Sequence, residues 1–150
     1  MEILSNDVPK GAHNGKFDNK GIYHEFNTAV NVFAIDSMLL RSIVAPGQKR
    51  YGLDAISYEY PDLAGYKDAV KGKDIARLSL KDVTEYNCKD VDLCFRTIEA
   101  DLPKLDEASS KLFFELMMPL SDLTMQMEYF GVKIDTERAL KLHCDLYEEL

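Results

Sequence analysis

The chain has 150 residues, 46% apolar and 29% charged, with 18 basic and 26 acidic side chains and a net charge of −8. That length suits one domain with a real core, or one domain plus a short piece of another, and no run approaches the roughly 18 apolar residues of a membrane span. The acid excess argues against a binder with a broad basic footprint on nucleic acid, but leaves room for an enzyme that holds divalent ions in carboxylates.

The N-terminal residues MEILSNDVPKGAHNGKFD lack the basic and apolar regions of a signal peptide, so a cytoplasmic location, in a cell or an infected host, is expected. Residues 8–13 read as a short strand, followed by HNGKFD, where Gly15 permits a turn. Asn19–Phe26 then reads as a helix with Asp18 as its N-cap. Val30–Ile35 is β-branched, aromatic and nearly all apolar, as in a strand covered on both faces. Asp36 ends it, and Ser37–Val44 is an apolar helix stopped before Pro46. The turn PGQKRY carries Lys49 and Arg50 at its tip, either as a solvated loop or as a phosphate contact. Leu53–Tyr60 reads as a helix closed by Pro61. Residues 63–77 are the most basic part of the chain, with Tyr66 among Lys67, Lys71, Lys73 and Arg77. That pattern is either a surface loop or a grip on single-stranded nucleic acid, by base stacking plus phosphate neutralisation.

Leu80–Leu102 is the longest predicted helix, with Ser79 as N-cap and Asp82 completing a box-like start. Val83, Tyr86, Asp90, Cys94 and Ile98 recur at spacings of three and four and so share a face. Asp90 is an acid on a core-directed stripe, one turn from Tyr86, and must find a cation, a metal or hydrogen-bond donors. The three cysteines (Cys88, Cys94, Cys144) form no CxxC pair and read as reduced packing residues. A second long helix spans about 107–130, with Pro119 set to kink it, methionines as core filler and Gly131 as its stop. A short extended piece, 132–135, leads to a last helix capped by Thr136. That helix reaches Leu150 without a C-cap signal, as if the chain were cut there.

Three motifs now align: HNGKFD at 13–18, IDSMLL at 35–40 and YNCKD at 86–90. Together they resemble the proofreading 3′–5′ exonuclease domain of family A, bacterial-type DNA polymerases. Asn14, Phe17 and Asp18 match that family's N-x-x-F/Y-D motif; Tyr86 and Asp90 match its tyrosine-type Y-x-x-x-D motif. YGLDAI at 51–56 and ELMMPLSDLTMQMEYFGVKID at 115–135 match further passages, the second leading into the polymerase domain. The resemblance implies residues 1–112 from the exonuclease domain and 113–150 as a connecting helix and the start of the polymerase domain. It implies hydrolysis of the 3′-terminal phosphodiester of DNA by two divalent ions (magnesium, manganese or zinc) about 4 Å apart, held by carboxylates. Asp90 would hold the ion that activates the attacking water, Asp18 the ion near the leaving oxygen, and Tyr86 would orient the water. Asn14 and Phe17 would line the terminal-nucleotide pocket, with Tyr66 and Arg50 as further nucleic-acid contacts. The implied partners are a single-stranded 3′ end, the primer–template and the rest of the polymerase chain.

The family's first motif, Asp-x-Glu on an early strand, has no match before Asp18. The only Asp-x-Glu here is Asp135-Thr136-Glu137, at the wrong end. The implied fold is therefore a ribonuclease-H-like α/β exonuclease fold lacking its first strands. That leaves a mostly helical chain with about two parallel strands, near 8–13 and 31–36. These 150 residues alone are expected not to proofread. Two other readings are a ribonuclease D-like exoribonuclease, disfavoured by the 115–135 passage, and a non-catalytic exonuclease-like scaffold.

Overall fold

The computed structural model describes residues 2–70, 72–74 and 77–148. Lys71 of the basic segment and the last two residues of the final predicted helix lie outside the described residues. The described residues are mostly helical and hold two strands, β1 (Lys10–Ala12) and β2 (Phe33–Asp36), which pair in parallel as expected, each shorter than the stretch read as strand. Between them runs α2 (Gly15–Phe26), preceded by a short α1 (Glu2–Ser5).

The start of α2 differs from the sequence reading. The helix begins at Gly15, its N-cap is Asn14 in the left-handed region (φ 58°), and Asp18 lies in its first turn. Asparagine tolerates that conformation because its short polar side chain offsets the steric cost. Gly15 is needed for close approach instead: a Cβ there would meet the Phe33 ring at 2.3 Å. The sharp turn thus belongs to Asn14 and the tight packing to Gly15.

α3 (Ser37–Val44) follows β2 directly and packs on α5 (Leu80–Asp101), which starts at the Ser79 cap as expected. The predicted 53–60 helix is one α-turn, α4 (Leu53–Ile56), continued as a 3₁₀ turn over Ser57–Glu59. Leu53, Ile56, Leu63 and Leu93 bury one core cluster. Leu40, Phe113 and Met118 bury a second, flanked by Phe33, Ile35 and Ile43.

The predicted 107–130 helix is continuous but changes winding. α6 (Glu107–Lys111) opens with an Asp106–Ser109 capping box, Leu112–Met117 is wound as a π-helix, and α7 (Met118–Phe130) carries Pro119 in its first turn. The wider π turn absorbs the proline, which would otherwise clash with the carbonyl four residues back. Of the methionines, Met118 is buried and Met127 exposed, so the filler role holds only for one face. Asp135 rather than Thr136 caps α8 (Thr136–Glu148), accepting from the Arg138 amide at 3.0 Å. No helix among the described residues is long and apolar enough to cross a membrane.

Candidate functional site

The turn between β1 and α2 faces α5 across a cleft of about 840 Å³. Asn14, Phe17 and Asp18 line one wall; Asp90, Cys94 and Phe95 line the other. The structure thus brings together four of the residues singled out by their motifs. Phe17 is largely exposed, its ring free to meet a ligand. Loss of solvent raises the Asp18 pKa above the usual carboxylate range, and the negative charges of Asp36 and Asp90 push it further. Like charges gathered in one place are what a cation site requires.

What holds the turn in place is Asp36, which the sequence reading treated only as the end of a strand. Its carboxylate is buried and accepts four backbone amides: Asn14 (3.1 Å), Met38 (2.9 Å) and Leu39 (3.2 Å) on Oδ1, and Gly15 (2.8 Å) on Oδ2. One side chain therefore caps α3 and clamps the start of α2. The signal was present: an Asp immediately before an apolar helical run is an N-cap pattern. Its second task needed the parallel pairing of β1 and β2, which no local pattern contains. His13 completes the junction. Its Nδ1 lies 2.8 Å from Ser37 Oγ, which in turn lies 3.4 Å from Cys94 Sγ. Burial lowers the His13 pKa, so the ring is neutral near pH 7. Cys94 is half-buried on the cleft wall, whereas Cys88 and Cys144 are exposed, against the expectation of three packing residues.

Asp90 meets the requirement set by its place on the stripe. Tyr66 donates its hydroxyl to Oδ1, and Lys67 Nζ lies 3.1 Å from Oδ1 and 3.4 Å from Oδ2. The same ammonium donates to Tyr86 Oη at 3.1 Å and lies 5.6 and 5.3 Å from the Tyr66 and Tyr86 ring centroids. Tyr66 and Tyr86 therefore stand beside Asp90 without lining the cleft, with ring centroids 5.9 Å apart. Burial and the Asp90 carboxylate push the Tyr66 phenol pKa upward, so it remains a donor. Lys67 was read only as part of a basic segment; nothing local marks it as the partner of an acid 23 residues away. Arg50 is exposed, paired with Asp54, and does not line the cleft.

The implied divalent ions can be tested against these donors. Among the described residues, no group of three or more His, Cys, Asp or Glu side chains is placed to hold a metal. Both Asp90 oxygens already accept hydrogen bonds, and all four bonds to Asp36 come from backbone amides. Hard divalent ions take six or more oxygen ligands. The side chains present do not fit a two-ion centre as they stand.

Comparison with known proteins agrees with the family resemblance. A family described as 3′–5′ exonuclease matches residues 1–106. The DNA polymerase of Bacillus phage SP01 is 28% identical over 136 residues, covering 84% of this chain and 15% of that protein. DNA polymerase I of Borreliella burgdorferi is 30% identical over 129 residues, covering 83% of this chain and 14% of that protein. The chain thus spans about one-seventh of the length of these curated relatives. With the family matched over most of its length, the chain belongs to the 3′–5′ exonuclease domain family.

Proposed function

We propose that this chain is the part of a DNA polymerase that carries two of the acids of a 3′–5′ proofreading site. The observation that supports it best is the convergence of Asn14, Phe17, Asp18 and Asp90, distant in sequence, on one cleft. In this reading Asp18 and Asp90 are two of the carboxylates that hold magnesium, manganese or zinc ions, and the remaining donors come from outside these residues. The ions would supply charge stabilisation at the attacking and leaving oxygens. Phe17 and Asn14 receive the terminal nucleotide of a single-stranded DNA end, and Tyr86 orients the Asp90 side of the site. Tyr66 acts through Asp90, and Arg50, outside the cleft, meets backbone phosphate farther along the strand. With two carboxylates the 150 residues alone do not turn over DNA.

The boundary near residue 112 is part of the same proposal. The family match ends at residue 106, and α7 carries an exposed apolar stripe suited to the rest of a polymerase chain. The protein would work in the cytoplasm of a cell or of an infected host. In the full-length polymerase, Asp18→Ala and Asp90→Ala should each slow degradation of a single-stranded DNA oligonucleotide at least about 100-fold while primer extension continues. A variant that degrades DNA at the unmodified rate removes its residue from the site. Preferential degradation of RNA would favour the ribonuclease D-like reading.

A further inference from the structure

We propose that His13 is a pH-sensitive latch on the start of α2: the neutral ring holds the cleft wall in place, and protonation releases it. The latch belongs to the shape of the cleft and stands apart from what the cleft binds. His13 links β1 to Asn14, the left-handed N-cap of α2. A movement of its ring therefore passes through one peptide to the turn that carries Asn14, Phe17 and Asp18. Nδ1 lies 2.8 Å from Ser37 Oγ, and that oxygen lies 3.4 Å from Cys94 Sγ. Ser37 is fully buried and opens α3, while Cys94 stands on α5, so one line of polar side chains ties three elements together. Nε2 is buried and has no hydrogen-bond partner among the described residues.

That orphan nitrogen makes the ring sensitive to a proton. A neutral imidazole has one donor and one acceptor. With its proton on Nδ1 it donates to Ser37, whose hydroxyl donates on to Cys94, and only a lone pair on Nε2 is left unpaired. Protonation at Nε2 buries an N–H without an acceptor, and in the imidazolium a charge as well. Burial is the largest influence on the ring and disfavours that charge; Asp36, Asp90 and the Tyr51 carbonyl favour it, and Lys67, on the 3₁₀ turn Tyr66–Ala69, opposes it. The two acids are already engaged. Asp36 accepts the amides of Asn14, Gly15, Met38 and Leu39, and Asp90 is held by Tyr66 and Lys67. An Asp36 carboxylate turned to meet the cation gives up amides that start α2. The protonated ring is therefore relieved only by a shift of the turn it anchors.

The unfolded chain takes up this proton near the ordinary value of 6.5 and the folded chain only at lower pH. The stability that the neutral ring contributes is thus full above that value and falls as the pH drops below it. Histidine-resolved NMR of the 150-residue chain tests the latch, with His24 and His143, both exposed, as controls. His13 should titrate at lower pH than both, and the amide resonances of Asn14 and Gly15 should shift with the His13 midpoint. The unfolding constant in urea should rise about tenfold more from about pH 7 to about pH 5 than it does in His13→Gln, which has no ring to protonate. Sequential assignment through Asn14 identifies His13 without a variant, so the titration decides even where His13→Gln folds poorly. A His13 midpoint equal to or above those of His24 and His143 overturns the proposal. So do Asn14 and Gly15 amides that stay fixed while His13 titrates, and so does an equal pH dependence of unfolding in the unmodified chain and in His13→Gln.

Discussion

Three aspartates meet around the cleft, and their surroundings give them different work. Asp36 accepts backbone amides on both carboxylate oxygens and joins two helix starts, a structural task. Asp90 is held by side chains instead, the Lys67 ammonium and the Tyr66 phenol. Asp18 stands at the cleft edge, where partial loss of solvent and the nearby Asp36 and Asp90 charges raise its pKa. Asp36→Ala should cost about 2–4 kcal/mol in urea unfolding, since it strips acceptors from buried amides. Asp36→Asn, which keeps one carbonyl oxygen for the three amides on Oδ1, should cost less than half as much. Equal losses would mean that charge, not hydrogen bonding, holds the junction.

On α5 the conflict between acid and apolar stripe occurs twice, and the deeper instance is not the one that stood out by motif. Asp101 lies on the same face as Asp90 but is fully buried. Arg41 Nη1 meets both its oxygens at 3.0 Å, Lys104 adds a bond at 2.7 Å, and Arg41 also reaches Glu59. This pairing joins α3, α5 and the turn after α4, and of these α5 forms a wall of the cleft. Asp101→Ala should destabilise by about 3–5 kcal/mol because it removes the fully buried partner of Arg41 and leaves the guanidinium with the half-exposed Glu59 alone. Arg41→Met combined with Asp101→Leu should lose much less, as seen by melting of both variants. If the double variant is the less stable, the pair contributes net attraction rather than merely avoiding an unpaired charge.

At the scale of the molecule, α7 and the π turn before it have two apolar sides. Met118 and its neighbours face the core, while Leu116, Leu120, Leu123, Met127 and Phe130 recur at alternating spacings of four and three and are 49–83% exposed. A helix apolar on both sides is built to be buried on both. On α8, Leu140, Leu142, Leu146 and Tyr147 are exposed as well. Replacing Leu116, Leu123 and Met127 together by glutamine should reduce light scattering and dye binding by the 150-residue chain with little loss in melting temperature. A large fall in melting temperature would place this stripe inside the folded unit.

The elements themselves were legible in the amino-acid order, because helix caps, apolar periodicity and turn residues act within a few positions. The Ser79 cap and the stop at Gly131 needed no more than that, while the parallel pairing and the motifs carrying Asp18 and Asp90 were legible only through the family resemblance. Local winding was less legible: neither the left-handed Asn14 nor the π turn before Pro119 follows from spacing alone. Partnerships were decided by the tertiary structure. Asp36 reaches back to Gly15, Lys67 crosses to Asp90, and Arg41 finds Asp101, pairs 21, 23 and 60 residues apart. A charge of either sign finds whichever opposite group the packed backbone sets beside it, and sequence separation does not encode that neighbour.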